Sequence, residues 1–177
     1  MLKFLTYLKR SYWAGLLKRR KMSTAVSLTP DLAQQVIYNQ LRTDNIPDPL
    51  SKLVTAQSGH ETGGWTSNVY KTLNNAFGYG YNGSTYKDYD SVEESAHEIS
   101  LYLNRRVNEG SFPPLDQITD AGQYATLLKN AGYYSDNSDN YSAGISRWFN
   151  NNLQIAAGIS VAAVVGIGLF VYFLLKK

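Results

Sequence analysis

The sequence predicts a mainly α (α+β) fold, with a helical domain, a small β-hairpin lobe and one further helix at each end. Three observations lead to this prediction. Apolar residues recur at helical spacing behind helix-start signals between residues 29 and 150. A short aromatic stretch at residues 77–90 alternates around an Asn-Gly pair, as in a hairpin. Residues 155–175 form a long uncharged run.

Composition and charge limit the function classes. The chain has 177 residues, enough for one compact domain with appendages, and no cysteine for a disulfide or thiolate metal site. Residues 1–22 carry seven basic side chains and no acid, whereas residues 23–150 carry all 14 acids against eight basic side chains. The acidic balance of this middle part argues against a specific nucleic-acid partner.

The first segment, residues 1–22, predicts a basic amphipathic helix with apolar side chains at helical spacing. Such a helix can lie on an anionic membrane or against an acidic protein surface, and the alternative is a solvated terminal helix. It does not resemble a secretory signal, because basic residues interrupt it throughout. Residues 23–28 form a short linker to the domain at residues 29–150.

Helix starts and stops divide the domain. Thr29-Pro30 and Asp48-Pro49 each begin a helix. The second helix should end just past Glu61, because Gly63-Gly64 follows and disfavours helix. Later helices are predicted from starts at the Ser91–Glu94 capping box, at Thr119-Asp120 and near Tyr141.

Two segments complete the predicted architecture. Phe77–Tyr81 and Tyr86–Asp90 flank Asn82-Gly83 and predict a small hairpin. Ile155–Leu175 contains no charge and would span roughly 31 Å as a helix, against about 30 Å for a bilayer core. We therefore expect a transmembrane helix over residues 153–175, the alternative being a buried helix.

The candidate catalytic residue is Glu61. It is the only acid in Ala56–Tyr81, a stretch rich in aromatic residues and glycine. Apolar neighbours raise the pKa of a carboxyl, which suits a general acid that protonates a glycosidic oxygen. Rings such as Trp65, and amides such as Asn74 and Asn75, suit sugar faces and hydroxyls.

A metal site is not expected. His60-Glu61 matches the first half of an H-E-x-x-H zinc motif, but Gly64 stands where the second histidine would be. The chain has two histidines in all, and both are more simply structural. We predict no metal and no cofactor.

Four motif pieces in order carry a resemblance: Ala56-Gln57 with Glu61-Thr62-Gly63, Asn74–Gly78, Tyr89–Ser95, and Ala131–Tyr133 with Asn140-Tyr141. Over Asp48–Ile145 the chain resembles the endo-β-N-acetylglucosaminidases of bacterial autolysins and flagellar peptidoglycan hydrolases. The resemblance implies a lysozyme-like fold and Glu61 as catalytic acid. The candidate substrate-binding residues are then Trp65, Asn74, Asn75, Phe77, Tyr133 and Tyr141. The family usually has Glu-Ser-Gly-Trp, whereas Glu61–Trp65 reads Glu-Thr-Gly-Gly-Trp and is similar to the helical chitinases, the second-ranked family.

The second catalytic group is open at this stage. Asp88 is the candidate second carboxylate, and Asp90 shares its predicted strand face. Two-carboxylate hydrolysis needs a separation of roughly 5 Å for retention or about 6.5–9.5 Å for inversion. Alternatively, the 2-acetamido group or the 6-hydroxyl of the substrate attacks while Glu61 acts as acid and then base.

The predicted function is a membrane-anchored hydrolase of the β-1,4 bonds between N-acetylglucosamine and N-acetylmuramic acid. Its expected partners are peptidoglycan strands, a lipid membrane and a capsid protein that residues 1–22 would contact. A C-terminal anchor without a signal peptide predicts the internal membrane of a phage virion and the host inner membrane, or alternatively a bacterial cell envelope. The competing classes are a non-catalytic glycan-binding or structural protein and a membrane-permeabilising protein.

Overall fold

The computed structural model describes residues 28–151 together with residues 153 and 155. Six α-helices and one 3-10 turn make up the regular structure of this part of the chain. The helices are α1 (Pro30–Thr43), α2 (Asp48–Thr62), α3 (Asn68–Leu73), α4 (Val92–Asn108), α5 (Ala121–Asn130) and α6 (Ser138–Asn151), and the 3-10 turn is Leu115–Gln117.

Side-chain caps fix the predicted helix starts. The Thr29 hydroxyl accepts a hydrogen bond from Leu32 N at the start of α1. The Ser91 hydroxyl accepts one from Glu94 N at 3.2 Å at the start of α4. Such bonds satisfy backbone N–H groups that have no partner within the helix. At the other end of α2, Gly63 is left-handed with φ of 58°, so the helix ends one residue past Glu61, as predicted.

Helix α2 is the centre of the packing. It packs against α1 on one side and α6 on the other, while α4 covers α1 and α5 covers α6. Ten of its 15 residues are buried, including Leu50, Leu53 and Val54 of the core. Burial of such side chains is the main stabilising term in folding. The end of α2, where Glu61 lies, is consequently held on a rigid element.

The predicted α+β class with a β-hairpin lobe is wrong. The part of the chain that the structure describes is mainly helical and contains no strand. Residues 77–90 instead form an irregular loop. Gly78, Gly80 and Gly83 all have positive φ, which breaks the extended backbone that a ladder requires. The alternating aromatic pattern therefore predicted a β-hairpin at residues 77–90, where the backbone conformation of the glycines prevents strand pairing.

The predicted transmembrane helix over residues 153–175 is not supported. Among residues 28–151 with 153 and 155, no helix has the length and apolar character that a bilayer crossing requires. Most of the predicted transmembrane segment at residues 153–175, and the predicted amphipathic helix at residues 1–22, lie outside the described residues.

Candidate active site

The candidate active site is a groove formed by two cavities that meet at Glu61. The smaller cavity has a volume of about 310 Å³ and the larger about 400 Å³. Glu61 and Gly78 line both of them. The last turn of α2 thus presents its carboxylate at the junction of the groove, where a ligand occupying both cavities would pass it.

The two cavities differ in the residues that line them. The smaller cavity is also lined by Thr62, Ser67, Val69, Asn75 and Tyr86. The larger cavity is rich in aromatic rings, with one cationic side chain: its further lining residues are Phe77, Tyr79, Gly80, Tyr81, Tyr102, Arg106, Ala131, Gly132, Tyr133 and Tyr134. Apolar ring faces beside a few polar groups are typical of small-ligand sites.

A buried chain of hydrogen bonds leads to the carboxylate. The Tyr124 hydroxyl donates to Gln57 Oε1 at 2.6 Å, and Gln57 Nε2 donates to the Tyr141 hydroxyl oxygen at 3.0 Å. The Tyr141 hydroxyl in turn donates to Glu61 Oε1. Each of these three donors has an acceptor, so the hydrogen-bonding groups are satisfied although they are buried. The carboxylate is therefore fixed in orientation from behind.

The electrostatics of Glu61 suit a proton donor. Burial raises the pKa of Glu61, and the hydrogen bond from Tyr141 opposes this rise. Burial and the nearby Glu61 carboxylate both raise the pKa of Tyr141, so this hydroxyl keeps its proton and stays a donor. Because Oε1 accepts from Tyr141, a protonated Glu61 would hold its proton on Oε2. This oxygen lies 3.9 Å from where a Cβ on Gly78 would stand.

Two predicted substrate-binding residues border the larger cavity. Tyr133 and Phe77 both line it, and the Tyr133 hydroxyl donates to the Phe77 carbonyl at 2.9 Å. The Tyr133 ring stacks on Tyr79, with an interplanar angle of 7°. The structure therefore brings Phe77, Tyr133 and Tyr141 together around Glu61.

The amides of Asn75 and Asn74 are engaged within the protein. Asn75 Nδ2 donates to the carbonyls of Tyr79 and Lys87, at 2.9 and 3.0 Å, and its Oδ1 accepts from Phe77 N. Asn74 has a φ of 50°, and its Nδ2 donates to a backbone carbonyl of the loop. Both side chains shape the loop at the groove, although Asn75 also lines the smaller cavity.

Trp65 and Asp88 lie away from the groove. Trp65 is 2 % exposed, its Nε1 donates to Ser58 Oγ, and its ring packs edge-on against Trp148. Asp88 is exposed and lines neither cavity. Glu61 is thus the single carboxylate among the described residues that line the two cavities.

His60 has a packing role. Its ring lies edge-on against Tyr141, with the centroids 5.3 Å apart, and it lies close over Gly144 of α6. Within the described residues, no group of three or more histidine, aspartate or glutamate side chains could hold a metal ion.

Sequence reasoning did not assign functional roles to Gln57 and Tyr124. Gln57 is one helical turn before Glu61, so its place on the same face of α2 is a signal in the sequence. Tyr124 is 67 residues from its partner Gln57, and no local pattern indicates that contact.

Comparison with known proteins identifies the family. The Glucosaminidase model, described as mannosyl-glycoprotein endo-beta-N-acetylglucosaminidase, matches residues 40–154, well over half of the chain. Searches of curated proteins and of solved structures gave no match. The matched residues include Glu61 and the whole hydrogen-bond chain behind it. The chain therefore belongs to the Glucosaminidase family and is a glycoside hydrolase of the endo-β-N-acetylglucosaminidase type.

Proposed function

We propose that this protein cleaves peptidoglycan glycan strands at a β-1,4 bond between N-acetylglucosamine and N-acetylmuramic acid, with Glu61 as the general acid. Family membership supports a peptidoglycan-cleaving glycosidase. The position of Glu61 supports its role as the acid. Its carboxyl lies at the junction of the two cavities, and the Tyr141 hydroxyl donates a hydrogen bond to one of its oxygens.

The acid step follows from this geometry. Protonated Glu61 donates the proton on Oε2 to the glycosidic oxygen as the bond from C1 to that oxygen breaks, and the leaving sugar departs as an alcohol. Burial keeps Glu61 protonated at higher pH than an exposed glutamate. The carboxylate that remains accepts the hydrogen bond from Tyr141, which stabilises the negative charge.

The attacking group is proposed to come from the substrate. Asp88 lies outside both cavities, and no carboxylate besides Glu61 is among their described lining residues. The 2-acetamido oxygen, or the 6-hydroxyl of muramic acid, would then attack C1 in place of a carboxylate nucleophile. With the acetamido group, Glu61 would next accept a proton from the water that opens the cyclic intermediate; with the 6-hydroxyl, it would accept the hydroxyl proton.

Substitution of Glu61 tests the acid. We expect Glu61→Gln to lose cell-wall clearing in a zymogram, with a drop in rate of about 10²–10⁴-fold. Asp88→Asn is the matched control and should keep its activity. Full activity of Glu61→Gln would refute the assignment, and loss of activity in Asp88→Asn would require a second carboxylate.

Product analysis tests the attacking group and the bond. Mass spectrometry of the muropeptides would show a reducing glucosamine, a reducing muramic acid or a 1,6-anhydro end. An anhydro end requires attack by the 6-hydroxyl, and a reducing end requires water. A reducing end on N-acetylglucosamine identifies the glucosaminidase bond.

A second candidate function is glycan binding without cleavage, which the absence of a second carboxylate among the described lining residues favours. Binding of muropeptides without product release would identify this case. The cellular location stays a prediction from the sequence, and detection of the protein in purified virions or in cell envelopes would decide it.

A further inference from the structure

Two tyrosines on the loop at residues 77–90 are exposed, although their rings are in contact with each other. Tyr81 is 55 % and Tyr86 is 39 % exposed. Their ring centroids are 4.7 Å apart with an interplanar angle of 39°. Exposed aromatic pairs leave apolar surface in water, and a ligand with an apolar face would cover it.

The loop that carries this pair is fixed at its base and at its tip. At the base, the buried amide of Asn75 donates to the carbonyls of Tyr79 and Lys87, which joins the two arms. At the tip, Asn82 Oδ1 accepts from the backbone N–H groups of Ser84 and Thr85 at 3.0 and 2.9 Å. The two rings are therefore presented in a defined position without a β-ladder, and less conformational freedom is lost on binding.

The pair lies where the two cavities meet. Tyr81 lines the larger cavity and Tyr86 lines the smaller one. A Cβ placed on Gly78 would lie 3.9 Å from Tyr86 Cε1 and also 3.9 Å from Glu61 Oε2. Gly78 thus separates the Tyr86 ring from the carboxylate oxygen that faces the groove.

We propose that Tyr81 and Tyr86 form an aromatic platform that binds one sugar ring of a glycan strand on each side of the bond at Glu61. Tyr81 stacks on the sugar in the larger cavity, and Tyr86 stacks on the sugar in the smaller cavity. The proposal rests on the proposed function, because a strand that passes Glu61 is what brings both rings into contact with sugar. It adds substrate-binding residues that recognise the faces of the sugar rings on both sides of the bond.

Binding in an inactive background tests the platform. In Glu61→Gln, calorimetry would measure Kd for the disaccharide and the tetrasaccharide of alternating N-acetylglucosamine and N-acetylmuramic acid. Tyr81→Ala and Tyr86→Ala should each weaken tetrasaccharide binding by about 3–10-fold, the range expected for one aromatic contact. The disaccharide, which would place one sugar in each cavity, should respond to both substitutions, as the tetrasaccharide does. Tyr81→Phe and Tyr86→Phe keep the rings and should bind like the parent.

Phe149→Ala is the control for loss of an exposed ring, because Phe149 is 37 % exposed and lines neither cavity. It should leave Kd unchanged, and thermal melting should show that all variants are folded. Unchanged tetrasaccharide affinity in Tyr81→Ala and Tyr86→Ala, with cleavage by the parent enzyme intact, would overturn the platform alone. Failure of the parent to cleave, together with failure of Glu61→Gln to bind, would overturn the platform and the proposed function together.

Discussion

Glu61→Gln should make the protein more stable at neutral and alkaline pH while it lowers the rate of cleavage by about 10²–10⁴-fold. The substitution keeps the shape of the side chain, and its amide oxygen can still accept the hydrogen bond from Tyr141. It removes a carboxylate whose ionised form is disfavoured by burial. The side chain that we propose as the proton donor therefore lowers the free energy of unfolding whenever it is ionised.

The pH dependence sets the sign of the effect. The pKa of Glu61 is raised on folding above its ordinary value of 4.5, so the folded protein holds this proton more tightly than the unfolded chain. The stabilising contribution of the carboxyl is fully present below pH 4.5 and is lost as the pH rises through the folded pKa. Each unit of raised pKa corresponds to about 1.4 kcal/mol that the substitution recovers above that pH.

Urea unfolding at pH 4 and at pH 8 measures this difference. We expect the free energies of unfolding of the parent and Glu61→Gln to agree within about 0.5 kcal/mol at pH 4 and to diverge at pH 8, with the variant more stable. Glu93→Gln is the control, because Glu93 is exposed in the first turn of α4 and its loss should give no gain. A parent as stable as Glu61→Gln at pH 8 would refute this prediction, because burial would then not disfavour the ionised form of Glu61.

Three further substitutions test the surroundings of the site. Tyr141→Phe removes the hydrogen bond that lowers the pKa of Glu61, so the alkaline limb of the pH–rate profile should move to higher pH; an unmoved limb would contradict the contact. Asn75→Ala removes three hydrogen bonds and should lower the free energy of unfolding by about 1–3 kcal/mol, with faster proteolysis of the loop at residues 78–88 as the readout. Gly144→Ala would place a Cβ 2.5 Å from Nδ1 of His60, so we expect overpacking to cost about 1–3 kcal/mol despite the better helix propensity of alanine, and an unchanged melting temperature would count against this packing.

The helix boundaries were predictable because their signals are local. The Thr29 and Ser91 caps each act within three residues, and Gly63 ends α2 where the sequence predicts. The loop at residues 77–90 was not predictable in the same way. Its aromatic alternation favours a strand, but the positive φ of its glycines and the buried amide of Asn75 hold it in an irregular path.

The site was only partly predictable for a related reason. Glu61 stands out in the sequence as a single acid among rings, and the structure places it in a groove. Trp65 belongs to the same aromatic stretch, but the structure buries it against Trp148. Its burial could not be predicted from the sequence, because periodicity and composition do not distinguish a core ring from a ring in a groove. The partnership of Gln57 with Tyr124 depends on the packing of distant helices, which no short motif encodes.

The hydrogen-bond chain behind Glu61 connects three separate helices, with Tyr124 on α5, Gln57 on α2 and Tyr141 on α6. Its geometry exists only when all three have docked, and α6 is the last of them along the chain. A partly folded molecule in which α6 has not docked would accordingly have the glutamate without its aligned hydroxyl. The orientation of the Glu61 carboxylate therefore depends on the tertiary fold and not on α2 alone.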